Sequence, residues 1–98
     1  MRLNGKTALI TGAARGIGYE FARAYIAAGA TVALADINAE AVAQAAAALG
    51  PKAIGIQMDV TSQASIDAGF AAATTAMGGL DILVNNAALF SAAPIVEI

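Results

Sequence analysis

The 98-residue chain contains no cysteine and no histidine. Without cysteine there is neither a disulfide framework nor a thiolate zinc site, a composition that fits the cytosol. Without histidine the commonest general base and the commonest metal ligand are both missing, so acid–base chemistry must fall to other groups. Charge is scarce as well: 12% of the residues are charged, with a net charge of −2. No basic field exists to hold a nucleic acid or an anionic membrane surface. No apolar run approaches the ~18 uninterrupted residues of a membrane span. The start, Met1-Arg2, is not read as a secretory signal, because the apolar part from Thr7 to Ala14 is short, broken by Thr11 and Gly12, and followed by Arg15. These exclusions leave a cytoplasmic protein with a small-molecule partner as the expectation.

What is present is apolar. Hydrophobic residues make up 59% of the chain and alanine alone more than a quarter. This is the composition of one small folded domain with a surface poor in charge, not of a disordered segment.

The chain is organised around Thr11-Gly12-Ala13-Ala14-Arg15-Gly16-Ile17-Gly18. Lys6 to Thr11 is a short apolar run of buried-strand type, and Ile17, Phe21, Ala24 and Ala28 then recur at helical spacing up to Gly29. A turn that passes straight from strand to helix leaves the first helical N–H groups unpaired, with the positive end of the helix dipole behind them. An anion belongs there. Gly12 permits the sharp turn, while Gly16 and Gly18 allow a diphosphate to approach the main chain and the helix to pack close to the sheet. A second strand, Thr31 to Ala35, ends on Asp36. That acid lies near the ~20-residue spacing at which a dinucleotide-binding unit carries its ribose-binding carboxylate.

The alternation continues. Asn38 caps a helix over Ala39 to Leu49, with Val42, Ala45, Ala46 and Leu49 on one stripe, and Gly50-Pro51 stop it. A third strand at about Ala53 to Met58 opens into Asp59-Val60. Ser62 caps a third helix carrying Ile66, Phe70, Ala73 and Met77, and Gly78-Gly79 end it. Within that helix Gly69 is unfavourable and suggests a close packing contact. A fourth strand, Leu80 to Val84, runs into Asn85-Asn86-Ala87-Ala88, and an apolar connector containing Pro94 follows. This β-α-β-α-β-α-β alternation predicts an α/β, Rossmann-type parallel sheet of strand order 3-2-1-4. The first two helices then cover one face and the third the other. The glycine turn, Asp36, Asp59-Val60 and Asn85 to Ala88 all fall at strand carboxyl ends and line one rim.

Thr-Gly-x-x-x-Gly-x-Gly at 11 to 18, Asp-Val at 59 and 60, and Asn-Asn-Ala at 85 to 87 resemble the short-chain dehydrogenases/reductases along the whole chain. Within that family the chain looks most like the bacterial polyol dehydrogenases of the sorbitol/galactitol type. The resemblance implies an NAD-dependent oxidoreductase acting on a secondary alcohol or ketone. Main chain at Gly12, Arg15, Gly16, Ile17 and Gly18 would hold the diphosphate and adjoining ribose. Asp36 would take the adenosine ribose hydroxyls, with Ile37 beside it, Asp59 and Val60 the adenine, and Asn86 with Ala87 the ribose nearer the nicotinamide. The alternative for Asp59 is a solvated charge at a strand end, and the favoured reading of Asn85 is a tie between neighbouring strands. Ala88 departs from the glycine usual after Asn-Asn-Ala. Asp36 favours NAD over NADP by charge, while Arg15 pulls the other way.

The family's catalytic serine and Tyr-x-x-x-Lys pair are absent. Tyr19 is followed four residues on by Arg23 and Tyr25 by Gly29, the lysines are Lys6 and Lys52, and Ser91 is not the family serine by position. No residue here is therefore assigned a catalytic role, and no metal site is expected. The expectation is that residues 1–98 are the amino-terminal, dinucleotide-binding half of a single Rossmann domain, inactive alone and homo-oligomeric when complete, by resemblance. A non-catalytic nucleotide-binding module and a 3-oxoacyl reductase are the alternatives.

Overall fold

A computed structural model describes residues 2–86. The elements run β1 (Thr7–Thr11), α1 (Gly16–Ala27), β2 (Thr31–Asp36), α2 (Ala39–Leu49), β3 (Ala53–Gln57), α3 (Gln63–Met77) and β4 (Ile82–Val84). All pairings are parallel and the sheet order is β3-β2-β1-β4, as the crossover argument requires. The sheet separates two cores. Ala8, Ile10, Val32 and Leu34 pack under α1 and α2 with Ala22, Tyr25, Val42 and Ala45. Leu9, Ala33 and Ala35 point the other way, towards Met58, Ala73 and the half-buried Ile66 and Phe70 of α3. Adjacent residues of β1 thus serve opposite layers, which is why the strand reads as a continuous apolar run.

Local chemistry sets the helix ends. Asn38 Oδ1 accepts from the Ala41 amide at 2.9 Å and Ser62 Oγ from the Ser65 amide at 3.2 Å, so both expected caps form. In α3 the side of Gly69 lacking a Cβ is filled by the Met58 methyl group, the close contact that the glycine suggested.

Three details differ from the sequence reading. First, the buried face of α1 is Gly18, Ala22 and Tyr25, while Ile17 is 55% exposed. The row Ile17, Phe21, Ala24, Ala28 is not the core stripe, because Ile17 and Ala24 border the exposed Glu20–Arg23 pair and the close seat of Gly18 turns the opposite face to the sheet. Second, β2 extends to Asp36 and β3 stops at Gln57. Third, β4 begins at Ile82 rather than Leu80. The preceding residues are tied to the start of β1 instead: the Thr7 hydroxyl donates to the Gly79 carbonyl at 2.9 Å, and Asp81 Oδ2 accepts from the Thr7 amide at 2.9 Å.

At the other end of β1 the Thr11 hydroxyl donates to Asn85 Oδ1 at 3.1 Å. Asn85 is therefore a tie between β1 and β4. Among the described residues, β4 pairs with a strand on one side only, through Ala8, Leu9 and Ile10.

Candidate functional site: the carboxyl-end rim

The turn from β1 into α1 is built as the spacing predicts, with Gly12 at φ 62° and Gly16 at φ 68°. These two angles lie in the left-handed region that L side chains avoid. Beside Gly16 there is open space where a Cβ would project, so the main chain there is accessible to a ligand. Gly18 has the opposite surroundings. A Cβ on it would collide with the Gly12 carbonyl oxygen and lie 2.7 Å from Asn86 Nδ2 and 3.0 Å from Ala13 Cα.

Arg15 occupies the N-cap position in extended conformation and no side chain caps the helix. The first-turn amides of α1 are thus left without an acceptor in their own helix, at the positive end of its dipole. The Arg15 side chain is exposed and forms no ion pair among the described residues.

Asp36 stands at the end of β2, half-buried, facing this turn. Its Oδ2 accepts from the Ala14 amide at 3.2 Å and its Oδ1 from the Asn38 amide at 3.2 Å. From the other side Asn86, 2% exposed, donates from Nδ2 to the Gly12 carbonyl at 3.1 Å. Its Oδ1 is buried without a hydrogen-bond partner among the described residues. A buried acceptor left unmet is costly, and at a rim it marks a place where a donor fits.

Asp59 is engaged locally. Its Oδ1 accepts from the Thr61 amide at 2.9 Å and the Thr61 hydroxyl at 2.6 Å, and its own amide donates to Ser65 Oγ at 2.9 Å. The hydroxyl first, then the amide, hold the carboxyl below its ordinary value of 3.8.

The large hydrophobic residues exposed among the described ones are Ile17, Ile37 and Val60, at 55%, 61% and 41%. All three lie on this rim, beside the glycine turn, Asp36 and Asp59 respectively. Of the positions expected to form the site, Asp36 ends β2, Gly12, Arg15, Ile37, Asp59, Val60 and Asn86 follow the carboxyl ends of the four strands, and Gly16, Ile17 and Gly18 open α1. Ala87 lies outside the described residues, as do Ala88, Ser91 and Pro94.

Sequence reasoning did not anticipate the bond from Ala14 to Asp36 or the one from Asn86 to Gly12. It also missed a cleft of about 450 Å³ between α1 and α2, bounded by Arg15, Tyr19, Ala41 and Gln44. That cleft flanks the turn, and none of Asp36, Asp59, Val60 or Asn86 lines it. Among the described residues there is no cluster of three acidic side chains able to hold a metal, and no helix is long and apolar enough to cross a membrane.

A parallel sheet of this order, with a glycine-rich turn opening its first helix, is a Rossmann-type fold. Residues 6–98 match the short chain dehydrogenase family, and the chain belongs to that family. It is 63% identical over 98 residues to sorbitol dehydrogenase of Cereibacter sphaeroides, a match covering 100% of this chain and 38% of that protein. It is 57% identical over 95 residues to galactitol 2-dehydrogenase of Agrobacterium fabrum (strain C58), covering 97% of this chain and 37% of that protein. The chain therefore spans less than two-fifths of the length of these curated relatives. Among solved structures it resembles a 3-ketoacyl-(acyl-carrier-protein) reductase from Brucella melitensis complexed with NADH, with a TM-score of 0.82 and 36% identity over 84% of this chain and 34% of that one.

Two outcomes test this geometry. Gly18→Ala should cost about 1–3 kcal/mol by overpacking and break the Asn86–Gly12 contact. Gly16→Ala, with open space beside it, should show only the left-handed backbone penalty of about 1–2 kcal/mol and keep that contact. Chemical unfolding and the Asn86 side-chain amide resonance report both. For Asp59, a folded-state pKa below the unfolded one contributes stability above the ordinary carboxyl range, lost as pH falls through the depressed value. Thr61→Ala, which removes the hydroxyl and keeps the amide, should move the Asp59 titration, followed by carboxyl-carbon NMR, part of the way back towards 3.8 and reduce that acid-sensitive part.

Proposed function

We propose that this chain is the amino-terminal, nucleotide-binding half of an NAD-dependent oxidoreductase acting on a secondary alcohol or ketone of the polyol class. The observation that carries the reading is the Asp36 carboxylate placed at the glycine turn, beside uncapped first-turn amides and an open main-chain face at Gly16. The residues present fit a dinucleotide. Main chain at Gly12, Arg15, Gly16, Ile17 and Gly18 would hold the diphosphate, and Asp36 the adenosine ribose diol. Ile37, Asp59 and Val60 would border the adenine, and Asn86, with an acceptor to spare, the second ribose together with Ala87. NAD, when bound, supplies the hydride acceptor.

Charge selects the cofactor. Each carboxylate–hydroxyl bond contributes about 1.5–3 kcal/mol. A 2′-phosphate at 4 Å from Asp36 would instead meet about 4 kcal/mol of repulsion per charge pair at an effective dielectric near 20. The exposed Arg15 offsets roughly 1 kcal/mol of this, screened by solvent. The substrate class rests on the two polyol dehydrogenase relatives, which are more similar to this chain than the ketoacyl reductase is.

The expected result of titrating the protein with both nucleotides is at least about tenfold tighter binding of NAD than NADP, with the preference narrowed by Asp36→Ala. Equal affinity would contradict the cofactor assignment. Sorbitol- or galactitol-dependent reduction of NAD by the protein expressed from its complete reading frame tests the substrate class. Activity confined to ketoacyl thioesters would overturn it.

A further inference from the structure

The hydrogen bonds around the glycine turn divide its main-chain donors into two sets. The Ala13 amide donates to the Ala35 carbonyl at 3.0 Å and the Ala14 amide to Asp36 Oδ2 at 3.2 Å, so both face back onto β2. The following amides enter α1, where neither the helix nor a capping side chain meets them. Resting on the reading of this rim as a dinucleotide site, we infer that Asp36 is a positioning residue for the diphosphate turn as well as the acceptor of the ribose diol. Its carboxylate latches Ala14 to the end of β2 and thereby sets where the open amides point.

Three features carry this. The carboxylate is held from behind, because its Oδ1 accepts from the Asn38 amide at 3.2 Å, so the group is aimed rather than free to swing. A charged acceptor in a half-buried position makes a stronger bond than a neutral one. A carboxylate also offers about four lone-pair sites. Two are used here, and two remain for a diol, so the roles are compatible. The latch has a consequence for cofactor exchange. Removing the acid to admit a 2′-phosphate also unlatches the turn, so affinity for any diphosphate nucleotide falls.

The test uses the protein expressed from its native reading frame, without nucleotide and with 2′,3′-dideoxy-ADP, which carries adenine and diphosphate but no diol. Asp36→Ala should speed hydrogen exchange at the Ala14 amide by about tenfold or more. The same variant should bind dideoxy-ADP about fivefold or more weakly through lost preorganisation, although deleting a negative charge alone would tighten it. Asp36→Asn keeps one acceptor oxygen for two amide donors, so it should restore only part of the protection and of the affinity, while still failing to discriminate NAD from NADP. An Ala14 amide unprotected in the unsubstituted protein overturns the inference, whether or not Asp36→Ala folds. So does dideoxy-ADP bound by Asp36→Ala as tightly as by the parent. The exchange arm needs no ligand, so failure of the dinucleotide reading would show separately, as absence of any nucleotide binding.

Discussion

The structure depends on one constraint: the main chain between Thr11 and Gly18 must leave a strand, reverse, and start a helix while keeping its first helical amides bare. Such a turn has little to hold it from within. It is held from both sides instead, by Asp36 through the Ala14 amide and by Asn86 through the Gly12 carbonyl. Gly18 closes the arrangement by lying against that same carbonyl. The strand order makes this possible. With β1 between β2 and β4, the residues ending its two neighbours flank the turn. Topology, clamp and exposed amides are thus one device.

The same rim carries an uneven distribution of polarity. Bare N–H groups and the α1 dipole favour an anion at the turn, one carboxylate stands beside it, and Ile17, Ile37 and Val60 leave apolar surface uncovered between them. The proposed nucleotide would set its charged diphosphate, its diol and its flat apolar base against those surfaces in turn. In a chain so poor in charge, the few ionic groups elsewhere do local work: Arg23 pairs with Glu20 within one turn of α1, and Asp81 ties β4 to Thr7.

Much of this was legible in the residues. The glycine spacing located the turn, the alternation of apolar runs predicted the sheet order, and the acid that ends β2 was placed at the rim by counting along the chain. What was not legible has physical reasons. The apolar row from Ile17 through Ala24 is misleading because it borders the exposed Glu20–Arg23 pair, and the seat of Gly18 turns the opposite face to the sheet. The contacts Thr7–Asp81 and Gly12–Asn86 join the two ends of the described chain, and no local periodicity encodes such pairs; the strand tie by Asn85 was expected, though not its partner Thr11. The Ala14–Asp36 bond uses a backbone donor, which leaves no mark in side-chain chemistry.

Mapping backbone amide resonances while NAD is added tests the central claim most directly. The account predicts that the largest changes fall on Gly16, Ile17 and Gly18, with further changes at Asp36–Ile37, Asp59–Val60 and Asn86, and little at the amino ends of the strands near Thr7, Thr31 and Ala53. Changes confined to Tyr19, Ala41, Gln44 and Ala48, on the part of the α1–α2 cleft away from the glycine turn, or spread over the strand amino ends, would contradict it.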